Sequence, residues 1–266
     1  MSKFLNFEQF NESTLADLFK SIHGAIDFST LKPLMSVAGT AKLPSEKAIL
    51  KACKYLDIKP DTLFYDPNGM LDPIIYLNGP IFVGLMGFPD EKHLKIARIK
   101  ERLAQLEERF KEFTEKKDYI TMFYAIDKKL IIPMYIKMFD EIPKNQSYDI
   151  FADLWVRSEY GFEQFTTEFL KRVFELRFSS PEWKTRMKQF DKAAKKNPDG
   201  TITVYHGNNP EHDPKDEMSW TLQKKTAKFF ANRFNANGKI YQKNIERDHV
   251  LDFFPSRGEA EVLLMN

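Results

Sequence analysis

The chain has 266 residues, 42% of them hydrophobic and 29% charged, which excludes a disordered or collagen-like polymer and leaves room for a buried core. Its formal charge of +2 is too small to mark a nucleic-acid binder by composition, with residues 1–180 carrying about −1 and residues 181–266 about +3. The single cysteine, Cys53, excludes an intrachain disulfide, and no Cys/His group has zinc-ligand spacing, so no metal is expected.

The polar, acidic start after Met1 lacks a basic flank and an apolar stretch, so a cytoplasmic protein is expected. The most apolar stretch, Ile74 to Phe88, is broken by Asn78, Gly79, Pro80, Gly84 and Gly87. It reads as a buried hairpin or loop and is too short for a membrane span. From Pro89 to Lys117, Ile96, Ile99, Leu103, Leu106, Phe110 and Phe113 recur at spacings of three and four, which predicts an amphipathic helix. Such a helix lies on a core or pairs with a second copy as a short coiled coil. Residues 119–140 and 148–178 are further helical stretches, with Pro133 and Pro143 read as helix breaks and the 24 phenylalanines as packing between helices.

A charged helix from Trp183 to Lys196 ends at Asn197-Pro198-Asp199-Gly200, a turn signal after which the pattern changes. Strands are predicted at Thr201–Tyr205, Met218–Leu222, Lys239–Asn244, Val250–Phe254 and Ala260–Leu264, with a helix at Lys224–Phe234. Helices come first and strands last, which places the chain in the α+β class.

Three segments of this end carry chemistry: Val204-Tyr205-His206-Gly207, Ser219-Trp220-Thr221 and Arg257-Gly258-Glu259-Ala260-Glu261. Taken singly, each has a plainer reading as a turn glycine, an ordinary strand or a pair of solvated acids. In this order, with a helix between the second and third, they resemble the ADP-ribosyltransferase superfamily, and within it the bacterial and phage enzymes of the toxin type.

The resemblance covers residues 201–266, and extending back for the family's helical lobe gives a catalytic domain at 119–266. Residues 1–118 are then a mainly helical region for partner or acceptor recognition. The implied fold is a split β-sheet core with a helical lobe, and the implied co-substrate is NAD without a metal. The implied activity is mono-ADP-ribosyl transfer to a protein arginine or a nucleic-acid base. Alternatives are NAD hydrolysis or a degenerate member that binds NAD or a partner without catalysis. An antitoxin or other neutralising protein is an expected partner.

By resemblance, Glu261 is the catalytic carboxylate at the ribose and Glu259 positions or deprotonates the acceptor. As residues i and i+2 of an extended edge, the two acids are expected to point to one side. His206 and Gly207 would contact ribose and nicotinamide. Ser219 would orient Glu261, Thr221 would brace it, and Trp220 would face the core. Phe230, in preference to Phe229, would stack on nicotinamide. His206 departs from the toxin-type pattern, which has Arg there; histidine is typical of the diphtheria-toxin and poly(ADP-ribose) polymerase branch. The diphosphate then needs another partner, for which Arg233, Lys225 and Lys228 are the candidates.

Overall fold

The computed structural model describes residues 26, 28–40, 43–69, 73–85, 95–158, 161–208, 217–233 and 238–264. The chain is mixed helix and sheet, with two antiparallel sheets. It divides into two compact units, residues 1–167 and 168–266. Among the described residues no helix is long and apolar enough to cross a membrane.

The first unit pairs four short strands in the order β1 (Lys32–Pro33), β2 (Leu63–Tyr65), β3 (Ile74–Asn78) and β4 (Ile81–Leu85). The apolar stretch is the expected hairpin: Asn78 pairs with Ile81 across Gly79 and Pro80. The region expected to be mainly helical thus holds a four-stranded sheet beside its helices. Strands of two or three residues are too short to show the alternation by which a strand is recognised.

Helix α1 (Glu46–Leu56) buries Ile49, Ala52, Cys53 and Leu56, and starts where Ser45 accepts a hydrogen bond from the Ala48 amide. Helix α2 (Lys95–Lys116) buries Leu103 and Phe110 of the predicted stripe; Pro89 lies outside the described residues. Asp118 and Asp127 cap α3 (Tyr119–Ala125) and α4 (Lys128–Met138).

Pro133 lies inside α4 and does not end it. A helical proline leaves the carbonyl four residues back without its amide. Here that carbonyl, on Lys129, accepts from the Ile26 amide at 2.7 Å instead. Pro143 does mark a boundary, at the start of α5 (Lys144–Arg157). The second predicted stretch is broken by Gly161 at φ +97° before α6 (Thr167–Glu175).

Helices α3 to α5 belong to the first unit, whereas the sequence reading joined them to the second from residue 119. They are packed on one another by rings, Tyr135 meeting Phe123, Phe139, Phe151 and Phe165 at separations of 5.7 to 6.3 Å, and are tied to the earlier chain by the Lys129 and Gln164 bonds to Ile26 and by α3 packing on α2.

The second unit begins with α6 and α7 (Pro181–Ala193); Ser180 caps α7 by accepting from the Trp183 amide. The Asn197 turn follows, with Gly200 at φ +84°. Among the described residues, five strands then pair into one sheet. They are β5 (Ile202–Asn208), β6 (Ser219–Thr221), β7 (Lys239–Ile245), β8 (Val250–Phe254) and β9 (Glu261–Leu264), in the order β7-β5-β6-β9-β8.

Helix α8 (Lys224–Asn232) packs on β5 and β7. On the other face Met187 and Phe190 of α7 join Val204, Trp220, Phe253 and Val262 in the core. Asp252, fully buried on β8, receives both Nε and Nη2 of Arg186 at 2.7 to 3.2 Å, and Trp183 Nε1 donates to the Leu251 carbonyl. An ion pair thus fixes α7 on the edge strand.

Candidate active site

The three motif segments sit on the adjacent strands β5, β6 and β9. Tyr205 pairs with Thr221, and Thr221 with Glu261. Paired residues share a face and neighbours along a strand alternate, so Gly207, Ser219, Thr221 and Glu261 lie on the α8 face. His206 and Trp220 lie on the other.

The Ser219 hydroxyl donates to Glu261 Oε1 at 2.5 Å, which fixes one carboxylate oxygen from the neighbouring strand. The Ser219 carbonyl faces His206 Nδ1 at 2.8 Å. A carbonyl only accepts, so Nδ1 carries the proton and Nε2 is the acceptor of the neutral ring. His206, Ser219 and Glu261 are therefore linked in series.

His206 lies 5.4 Å from the Trp220 ring, and Trp220 is in the core as expected. Lys243 Nζ stands 4.1 Å from the Trp220 ring centroid, and burial lowers the pKa of that amine.

Thr221 is 6% exposed, and its hydroxyl donates to the Glu259 carbonyl at 2.5 Å while accepting from the Gln223 amide. It braces the turn before β9 rather than the Glu261 carboxylate. The Leu222 amide holds the next carbonyl, of Ala260.

In that turn Glu259 has helical dihedrals and Ala260 the left-handed φ of +46°. Strand alternation therefore starts only at Glu261 and does not align Glu259 with it, contrary to the extended-edge expectation. Ala260 is a non-glycine residue in a sparsely populated region next to the candidate catalytic carboxylate. Strain of this kind is concentrated at functional sites.

Gly207 has a structural reason to be glycine that the sequence did not disclose. A Cβ there would lie 1.8 Å from the Ala227 carbonyl oxygen, and one on Gly238 would lie 1.6 Å from that of Ala231. The two glycines, with buried Ala227 and Ala231, let α8 lie directly on the sheet. The expected approach of a flat ring to Gly207 is taken instead by the α8 backbone.

Phe229 and Phe230 stand at the outer surface of α8, 62% and 37% exposed, with their rings 5.4 Å apart. Arg233 caps the end of this helix and is exposed, as are Lys225 and Lys228. The sequence reading missed Asp252, although a lone acid within Val250-Leu251-Asp252-Phe253-Phe254 was the signal for a buried ion pair.

A cavity of about 510 Å³ lies within the first unit, lined among others by Phe28, Phe64, Tyr76, Asn78, Glu107 and Lys137. In it Tyr76 donates to Glu107 Oε1 at 2.5 Å, and Asn78 Nδ2 approaches both partners. Burial, followed by the Glu107 hydrogen bond, raises the Tyr76 pKa. None of the motif residues lines this cavity, so size alone does not locate the chemistry. Among the described residues no group of three or more His, Cys, Asp or Glu side chains is arranged to hold a metal ion.

The chain matches no protein-family model, no curated protein and no solved structure.

Proposed function

We propose that the second unit is a toxin-like mono-ADP-ribosyltransferase that uses NAD as co-substrate and modifies a macromolecular acceptor. The observation that carries this reading is the Ser219 to Glu261 hydrogen bond, which joins two of the three motif segments through their side chains. A solvated acid at a strand start needs no such partner.

In this reaction the bond between ribose C1′ and the nicotinamide nitrogen breaks, and the bonding pair leaves with nicotinamide. The positive charge left on the ribose is stabilised by the Glu261 carboxylate, which Ser219 holds in place. An acceptor lone pair then forms the new bond to C1′, and the acceptor proton passes to Glu259 and on to water. NAD hydrolysis, with water as acceptor, is the second reading. It is favoured by Glu259 lying in the turn rather than on the strand beside Glu261.

The test follows free nicotinamide and retained label from labelled NAD in a cell extract. Glu261→Gln is expected to lower nicotinamide release about a hundred- to a thousandfold. Glu259→Ala is expected to abolish retained label while release persists. Undiminished release from Glu261→Gln removes the proposal, and release without retained label from the unaltered chain selects hydrolysis.

A further inference from the structure

Helix α8 presents an unusual solvent face. Between Gln223 and Arg233 the sequence holds Lys224, Lys225, Lys228 and Arg233 and no acidic residue. Ala227 and Ala231 point into the unit. With 3.6 residues per turn, Lys225, Phe229 and Arg233 at spacings of four form a stripe on the opposite side. Phe229 is the most exposed large apolar residue of the stripe, and Phe230 lies against it. Beside the helix, β7 adds exposed Ile240, which pairs with Gly207.

Cations alone would be a solvated helix face, and aromatics alone a patch for an apolar partner. Their combination fits one chemistry, since a polyanion with flat rings along it uses both. Lysines and arginine neutralise phosphates, while an exposed phenylalanine stacks on a base whatever its identity. A duplex hides its base faces, so the fit is to a single strand.

We infer that the α8 face of the second unit docks single-stranded nucleic acid, with Phe229 as the stacking platform and Lys225 and Lys228 as phosphate contacts. This face is on the same side of the sheet as Ser219 and Glu261. Resting on the transferase reading, the inference names the acceptor as an exocyclic base amine. Its nitrogen bonds to ribose C1′ as nicotinamide leaves, and it loses one proton to water through Glu259.

The test uses the full chain and fluorescein-labelled oligodeoxycytidylate or oligocytidylate of about 15 nucleotides, whose bases carry an exocyclic amine, with binding read by fluorescence anisotropy without NAD. Binding should weaken with salt. Lys225→Glu with Lys228→Glu should weaken it at least about tenfold and flatten the salt dependence. Phe229→Ala should weaken it about tenfold with the salt slope unchanged, and Phe229→Trp should retain it. Heparin, a polyanion without bases, should be insensitive to Phe229→Ala. Comparison of the two oligonucleotides separates DNA from RNA as the source.

Absence of oligonucleotide binding overturns the inference and leaves the patch to a protein partner. Binding indifferent to Phe229 overturns it as well. Labelled NAD then separates the two readings. Docking without nicotinamide release removes the transferase and keeps the dock, whereas release with label on protein alone keeps the transferase and removes nucleic acid as acceptor.

Discussion

The first unit fills its centre with rings whose hydroxyls each find an acceptor: that of Tyr135 donates to the Ser147 carbonyl at 3.0 Å and that of Tyr76 to Glu107 at the cavity. The second unit commits charge to its interior, with Asp252 and Arg186 paired across α7 and β8 and Glu261 held by Ser219. Ring packing tolerates small shifts, whereas a two-pronged ion pair or a hydroxyl on a carboxylate has one geometry. The unit with a fully buried, two-pronged ion pair is the one that carries the candidate chemistry, and the contrast can be broken or sharpened by substitution.

The largest effect is expected from Asp252→Ala. It leaves the Arg186 guanidinium without its buried partner, at a cost of about 3–5 kcal/mol, a large part of the roughly 5–15 kcal/mol that a domain has. Denaturant midpoints measure it. Replacing both partners with apolar residues should restore most of the loss, because the remaining charge is removed too. A loss below about 1 kcal/mol for the single change would mean the pair is no more than a surface salt bridge.

Gly207→Ala is expected to cost about 2–3 kcal/mol through overpacking against the α8 backbone. It also separates two uses of the glycine. A stability loss identifies helix packing, whereas unchanged melting with weaker NAD binding would return Gly207 to the ligand.

In the first unit the sensitive groups are phenols. Burial raises the pKa of Tyr135 above its ordinary value, and that of Tyr76 is raised as described above. A folded-state pKa above the unfolded one gives stability that is complete below the unfolded value and is lost as pH rises through the folded value. Stability should therefore fall above about pH 10, where unfolded tyrosine ionises. Tyr76→Phe, which loses a hydrogen bond worth about 1 kcal/mol at neutral pH, should flatten the alkaline fall. A fall unchanged in Tyr76→Phe and in Tyr135→Phe would refute the assignment.

Much of the second unit was legible because its signals are local. The Asn197 turn, the alternation along the strands and the apolar pattern of α8 each lie within a few residues. Non-local causes were not legible. Pro133 is tolerated because Ile26, far away in sequence, supplies the amide to Lys129. Gly207 is glycine because of Ala227, and helices α3 to α5 group with the first unit through α2 and the Gln164 bond to Ile26. In the candidate site, the residue types and the Ser219 to Glu261 contact followed from the motifs. The helical dihedrals of Glu259 did not, because a turn of that shape leaves no periodicity to read.

The smallest expected change in stability, Ala260→Gly, tests that turn. Glycine relieves about 1–2 kcal/mol of left-handed strain but gives up a buried methyl worth about 0.8 kcal/mol. It also loosens the unfolded chain, at about 0.4–1 kcal/mol. The terms nearly cancel, so melting should stay within about 0.5 kcal/mol of the unaltered protein. The turn itself is pinned by Thr221 on the Glu259 carbonyl and by the Leu222 amide on the Ala260 carbonyl. Freed of Cβ, residue 260 samples dihedrals that those two bonds alone do not exclude, and transfer should fall severalfold while nicotinamide release, which needs Glu261, falls less. Loss of stability beyond about 1 kcal/mol would show that the methyl's packing outweighs its strain. Equal loss of transfer and release would show that the turn positions Glu261 as much as Glu259.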